Sequence, residues 1–380
     1  MAGHWGEHGR RKRRTGTMKD GQGRAATAST GPCSPRPGFR PRYAAIDLGT
    51  NNCRLLVAEP QAGGFRVVDA FSRIVRLGEG LAKDGTLCEA AMERSVAALH
   101  ICAGKLRRHR ITGLRAVATE ACRRAHNGEA FRERVRRETG LNLEVIAQEE
   151  EARLALAGCA PLLQPNIPNA LVFDIGGGST ELIWLRGDRN AGTSGSLPPL
   201  GVAAWYSMPL GVVGLAEHYG TDRISPGLYE HMVAEVAETL TQVAQRPDGV
   251  NPFSAGPIQM IGTSGTVTTL AGVYQHLPRY DRRRVDGCYL GFDTVRTVSR
   301  RIAAMTPEER LENPCIGHQR ADLVVAGCAI LEGICRTWPV GCLRVADRGL
   351  REGMLLQMMG YISVGELSSA DPSSAKRRSV

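Results

Sequence analysis

Residues 170–187 read ALVFDIGGGSTELIWLRG. A short apolar run with strand composition, 170–173, breaks at Asp174-Ile175-Gly176-Gly177-Gly178-Ser179-Thr180-Glu181. It resumes as a second apolar strand over 182–185. The pattern predicts a hairpin whose turn holds three consecutive glycines between two carboxylates and two hydroxyls. Glycine lets the backbone take positive φ and lets bare N–H groups approach a ligand. Converging amide dipoles make such a turn a cradle for an anion. Asp174 and Glu181 would repel a phosphate unless a divalent cation stood between them, so phosphate with magnesium is the economical reading. The alternative is a plain glycine-rich hairpin with solvated acids.

A second copy of the pattern argues against that alternative. Residues 43–59, YAAIDLGTNNCRLLVAE, again run apolar strand, Asp-x-Gly, small polar turn, apolar strand. Asp47 aligns with Asp174, Gly49 with Gly176, and Asn52 with Ser179. A strand–turn–strand unit repeated about 127 residues later predicts two related domains facing one cleft. Two phosphate-facing hairpins on opposing domains are the layout of the actin-like ATPase and sugar-kinase superfamily.

Within that superfamily the chain resembles the exopolyphosphatase/guanosine pentaphosphate phosphohydrolase (Ppx/GppA) family. The resemblance lies in AAIDLGTNN (44–52), EEARLALAG (150–158), FDIGGGSTEL (173–182), IGTSGT (261–266), RADLVVAGCAIL (320–331) and ADRGLREG (346–353). Together these span about 42–360 in the family's order. DIGGGSTE with Glu-Ala-Arg some twenty residues upstream is a combination that sugar kinases and actins do not normally carry. The resemblance implies an α/β fold of two ribonuclease-H-like, actin-like domains with mixed five-stranded sheets around an interdomain cleft. The expected divisions are a basic leader (1–42), an N-terminal domain (43–168), a C-terminal domain (169–362) and a disordered tail (363–380).

The implied chemistry is Mg2+-assisted removal of the terminal phosphate from a linear phosphoanhydride. Glu151, in Gln148-Glu149-Glu150-Glu151-Ala152-Arg153, takes the role of water-orienting base by resemblance. Acids at a helix start also suit the macrodipole, and Glu150 is the neighbour most easily confused with Glu151. Gly49, Thr50, Asn51 and Asn52 of the first turn and Gly176, Gly177, Gly178, Ser179 and Thr180 of the second are expected to hold the phosphates. Arg123, where a strand passes into a helix, is expected beside the chain. Asp174 and Glu181, with Asp47, are the expected metal ligands. The chain departs from the family pattern at Pro209 and Gly214, where relatives carry Asp and Arg, and at Asn52, where a hydroxyl residue is usual.

Composition bounds the partners. Of the net charge of +10, residues 1–42 contribute +8, from ten Lys/Arg against Glu7 and Asp20. That leader, with Arg10, Arg11, Lys12, Arg13 and Arg14 in a row and almost no large apolar residues, is expected to be disordered. The rest is nearly neutral, so no nucleic-acid partner is expected. Residues 279–284 (RYDRRR) could meet a polyanion, but a solvated loop is the expectation. The leader lacks the apolar centre of a secretory signal, and no apolar run is long enough to span a bilayer. The eleven scattered cysteines, with no CxxC pair, read as reduced core thiols in a cytoplasmic protein. The partners implied are inorganic polyphosphate or pppGpp, with a homodimer a possible assembly. A kinase of the same superfamily and a nonenzymatic pppGpp or polyphosphate binder are the competing classes.

Overall fold

The computed structural model describes residues 40–187, 200–245, 256–318 and 320–361. The expected tail, most of the expected leader and the polar loop 188–199 lie outside these residues. Among the described residues no helix is long and apolar enough to cross a membrane.

The first sheet has strands β1 (Tyr43–Leu48), β2 (Asn52–Gln61), β3 (Gly64–Ile74), β4 (Gly113–Ala118) and β5 (Glu144–Val145), in the order β3-β2-β1-β4-β5. β1–β2–β3 form an antiparallel meander, and β4 and β5 add in parallel. The second sheet has β6 (Asn169–Ile175), β7 (Thr180–Gly187), β8 (Leu200–Met208), β9 (Ile258–Thr263), β10 (Tyr289–Gly291) and β11 (Cys342–Ala346), in the order β10-β11-β9-β6-β7-β8. Here β6–β7–β8 form the meander and β9 and β11 add in parallel. The hairpin repeat seen in the sequence is therefore a repeat of a whole five-strand topology. The second sheet is six-stranded rather than five because the three-residue β10 pairs antiparallel with its edge.

The helices are α1 (Leu81–Asp84), α2 (Glu89–Arg108), α3 (Glu120–Arg124), α4 (Gly128–Thr139), α5 (Gln148–Cys159), α6 (Val212–Tyr219), α7 (Pro226–Ala244), α8 (Gly265–Tyr274), α9 (Arg282–Val285), α10 (Phe292–Ala304), α11 (Pro307–Glu312), α12 (Val324–Thr337) and α13 (Leu350–Met358). Two large apolar clusters cover one face of each sheet: α2 and α4 on the first, α7, α8, α10 and α12 on the second. Two smaller clusters fill the space between the sheets. Leu154 of α5 packs with Met354 and Leu355 of α13 against Ala45, Leu56 and Val117, while Ala152 and Cys159 of α5 pack against Val172, Ile183 and Ile261. The central strand β6 is covered on both faces, which is why it reads as an unbroken apolar run.

The two inner helices cross with their backbones in contact. A Cβ at Gly158 of α5 would run into the carbonyl of Gly349, and one at Gly353 of α13 into the carbonyl of Leu154. This crossing brings α13 back against the first sheet. Gly327 of α12 allows a similar approach to Thr266.

β3 runs unbroken from Gly64 to Ile74, because the turn from β2 falls at Gly63 and Gly64, which take φ of 76° and 151°. β5 is only two residues long. The ten described cysteines are free thiols, most of them buried.

Candidate active site

The two hairpin turns are built alike. In the first, Gly49 N donates to Asn52 O at 2.8 Å; in the second, Gly176 N donates to Ser179 O, also at 2.8 Å. The carbonyls of each turn are held from behind by a neighbouring segment. Thr50 O accepts from Gly78 N, and Asn51 O accepts from Val75 N and Arg76 N. Gly176 O and Gly177 O accept from Val212 N and Val213 N, at the start of α6. With the carbonyls tied back, the amides of Thr50, Asn51, Gly177 and Gly178 have no acceptor among the described residues, and all four residues line one cleft of about 390 Å³. Free amides converging on a cavity are an anion site.

The turns also touch each other. A Cβ on Gly177 would lie 3.0 Å from Thr50 Cβ and 3.1 Å from Asn51 N, and one on Gly178 would lie 2.9 Å from Thr50 Oγ1. None of Gly176, Gly177 and Gly178 takes positive φ. Glycine is required here for close approach between the turns, not for the left-handed backbone that the sequence suggests.

Asp47 and Asp174 end the central strands β1 and β6 and line the cleft. Neither makes a side-chain hydrogen bond or ion pair among the described residues. Burial raises both carboxyls above the usual range, with Arg54 opposing, and Asp174 is pushed up to about 6. Glu181, directly across the ladder from Asp174, is buried behind the lining. It accepts from Ser179 Oγ at 2.7 Å and from Ser207 Oγ at 2.8 Å. Burial, then the charges of Glu151 and Asp174, raise its carboxyl far above the usual range. Thr180 is fully buried and its hydroxyl donates to Leu210 O. Of the expected site residues, Thr180, Glu181 and Arg123 are thus not on the cleft wall.

Glu151 stands on the first turn of α5 and does line the cleft. Burial pushes its carboxyl up to about 7, helped by the charges of Asp47 and Asp174 and opposed by Arg123. Arg123 Nη1 donates to Glu151 Oε2 at 2.7 Å and to Ile146 O at 2.8 Å, while Nη2 donates to Glu120 Oε2 at 2.9 Å. The guanidinium expected beside the phosphate chain is instead committed to two glutamates. Glu150 is turned away, paired with Arg115 at 3.1 Å and Arg153 at 3.3 Å.

Four arginines line the cleft, Arg54, Arg320, Arg348 and Arg351, and none of them is among the expected site residues. Arg54 lies across the ladder from Asp47, the place that Glu181 holds opposite Asp174. It has no hydrogen-bond or ion-pair partner among the described residues. Arg320, just before α12, donates to Thr269 Oγ1 and makes no ion pair among the described residues; burial, then Arg54, lower its pKa. The charge inversion between the repeats, Arg54 against Glu181, was the available clue. Ser264, in the turn before α8, also lines the cleft and holds a rare φ of 125° while its Oγ accepts from Thr266 N and Val267 N.

Among the described residues no three His, Cys, Asp or Glu side chains stand together as a ready metal cage. Two partnerless carboxylates, both raised by burial and Asp174 also by the charge of Asp47, nonetheless fit a magnesium-like ion, which takes one or two carboxylates and completes its shell with water and substrate phosphate.

Two sheets that repeat one five-strand topology, with amide-lined turns meeting at a cleft, define the actin-like ATPase class of α/β folds. Within that class, residues 56–362 match the model of the Ppx/GppA phosphatase family. The chain belongs to this family. It is 30% identical over 345 residues to the guanosine-5'-triphosphate,3'-diphosphate pyrophosphatase of Aliivibrio fischeri, covering 89% of this chain and 63% of that one. The same-named protein of Aeromonas hydrophila is 28% identical, with 84% and 60% covered. The chain thus spans about three fifths of the length of these curated relatives. Among solved structures, the Aquifex aeolicus Ppx/GppA family member is 30% identical with a TM-score of 0.67, covering 84% of this chain and 98% of that one. An exopolyphosphatase from Cytophaga hutchinsonii is 25% identical with a TM-score of 0.73, covering 85% and 99%.

Proposed function

We propose that this cleft hydrolyses the terminal phosphoanhydride of a linear phosphate chain and releases orthophosphate. The observation that carries the reading is the meeting of two amide-bearing turns beside Glu151, the one first-turn glutamate of α5 held toward the cleft by an arginine. The amides of Thr50, Asn51, Gly177 and Gly178 would bind the non-bridging oxygens of the terminal phosphates, with Arg54 and Arg320 offsetting charge further along. Glu151, with a raised carboxyl suited to general-base work near neutral pH, would orient water and accept its proton. Arg123 would hold Glu151 in place rather than bind substrate. Asp47 and Asp174 would hold the divalent cation, which we take to be Mg2+, with Glu181 behind them; bound there, it would offset charge developing on the phosphate oxygens. Most of the rate enhancement would come from positioning and electrostatics.

Inorganic polyphosphate is the substrate we put first. A second reading, conversion of pppGpp to ppGpp, is favoured by the names of the Aliivibrio and Aeromonas relatives. The chain would lie between an N-terminal half (43–168) and a C-terminal half (169–362), in a cytoplasmic protein consistent with the free thiols. Orthophosphate release from long-chain polyphosphate and from pppGpp, each with and without Mg2+, tests the proposal. Cation-dependent release from one or both is expected, and none from either would overturn it.

A further inference from the structure

Beside the cleft, residues 279–284 (RYDRRR) are held as a rigid basic corner. The Tyr280 ring lines the cleft, and its hydroxyl donates to Asp347 Oδ2 at 2.6 Å. The Asp281 side chain caps α9 by accepting from Arg283 N at 2.9 Å, and Gln275 Nε2 donates to Arg284 O at 3.0 Å. Arg282 is turned inward, donating to Asp347 O and, at 3.0 Å, to Glu352 Oε1. With the backbone anchored this way, Arg279, Arg283 and Arg284 are exposed, and none makes an ion pair or side-chain hydrogen bond among the described residues. The arginines of α4 and α12 behave otherwise: Arg134, Arg136 and Arg336 are each paired with glutamates.

A line of neighbouring groups joins this corner to the proposed reaction centre. Arg54 acts on Asp47 and Asp174, Arg320 is repelled by Arg54 and faces Tyr280 and Asp347, and Asp347 is bonded to the corner itself. Tyr280 and Asp347, both on the cleft wall, therefore connect the cleft to the corner that carries the three exposed arginines. We propose that Arg279, Arg283 and Arg284 form an outer subsite for the distal phosphates of a long inorganic polyphosphate, where the chain leaves the cleft past Tyr280. This rests on the reading that the cleft receives the chain's terminus. Guanidinium forks suit successive phosphates without any base or sugar to read. A short chain with its end in the cleft would not reach them, so the corner would select for chain length.

The test uses the full chain loaded with Mg2+ and compares labelled long-chain polyphosphate with tripolyphosphate. Combining Arg279→Gln, Arg283→Gln and Arg284→Gln should weaken equilibrium binding of the long chain about tenfold, as three exposed charge pairs at a few-fold each. The slope of log affinity against log salt should become shallower by about two, and tripolyphosphate binding should not change. Equal weakening of both ligands, or of neither, would overturn the subsite. So would the same long-chain loss in a control that carries Arg107→Gln, Arg108→Gln and Arg110→Gln, exposed residues at the end of α2. Because the readout is binding, it stands apart from turnover. Orthophosphate release with no chain-length effect sinks only the subsite. A chain-length effect on binding without release sinks only the hydrolase reading.

Discussion

Arg123 Nη1 donates to Glu151 Oε2 at 2.7 Å, and the same guanidinium reaches Glu120 through Nη2. An arginine placed to bind substrate would leave both ends of its fork free, and this one commits Nη1 to Glu151 and the Ile146 carbonyl and Nη2 to Glu120. Arg123→Ala should therefore lower kcat by roughly tenfold to a hundredfold while KM moves little, because it releases the base and not the chain. Removing the positive charge also raises the Glu151 carboxyl further, so the acid limb of the pH profile should move to higher pH. Arg123→Lys should restore part of kcat. A variant whose defect lay wholly in KM would make Arg123 a substrate ligand after all.

The raised carboxyl of Glu151 sets a pH dependence of its own. A general base works ionised, so kcat/KM should rise with pH through about 7 and level off above it. Glu151→Gln should abolish that limb and cut turnover by about two decades or more, with phosphate-chain binding kept. Rates measured across pH 5.5–9 in both proteins check this. An undiminished rate in the Gln variant would move the base elsewhere.

Asp174 predicts an effect on stability with the opposite sign to most carboxylates. Its folded-state pKa of about 6 lies above the ordinary 3.8, so between those values the folded state holds more protons than the unfolded one. Stability without cation therefore falls as pH rises through this window, and the penalty is complete above about 6. Asp174→Asn should stabilise the cation-free protein at pH 8 by about 2 kcal/mol, allowing for the solvent at its cleft edge, and by nothing near pH 3.5. Mg2+ should raise the Tm of the wild type more than that of the variant. Chemical denaturation at the two pH values, with and without Mg2+, decides it, and a less stable Asn variant at pH 8 would refute the account.

The crossing of α5 and α13 sets a packing test. At Gly353 a methyl group would overlap the Leu154 carbonyl, a backbone atom that cannot swing aside. Gly353→Ala should cost about 3 kcal/mol by denaturant midpoint, towards the upper end for overpacking. Gly214→Ala is the natural control. It is exposed on α6 with nothing within 4 Å of the new Cβ, and should stabilise by about 0.5–1 kcal/mol.

The hairpins were legible in the sequence because their chemistry is local. Asp-x-Gly between two apolar runs specifies a strand, a tight turn and a return, and it occurs twice. The doubled topology followed from that repeat. The partner of Arg123 was not legible, since composition does not tell which carboxylate an arginine on a short helix will meet once β5 and α5 close around it. Nor was the burial of Thr180 and Glu181, neighbours that face opposite sides of β7, because that strand is covered on both faces and its composition does not say so. Arg54 is hidden when the repeats are aligned by their similarities: it stands where the second repeat has Glu181, one of two charge inversions between them, the other being Glu59 against Arg186. The return of α13 to the first sheet was beyond reach as well, because the apolar face of a helix does not name the sheet it will cover.

The contact between the turns gives the most direct test of the cleft. A Cβ on Gly177 meets Thr50 Cβ at 3.0 Å and the Asn51 backbone nitrogen at 3.1 Å, so the opposing turn must retreat by a few tenths of an ångström. On Gly178 the nearest atoms are Thr50 Oγ1 and Glu120 Cγ, side chains that can rotate away. Gly177→Ala should therefore be the more damaging of the two, although Gly178 sits at the same turn. Misplacement of substrate-holding groups by a fraction of an ångström costs about tenfold in kcat/KM, rising towards a hundredfold at 1 Å. We expect a loss of at least about tenfold for Gly177→Ala and a smaller one for Gly178→Ala, with unfolding midpoints near the wild type because the site opens onto solvent. If the two variants lose activity equally, or if Gly177→Ala keeps full activity, the two turns do not act together on one phosphate chain.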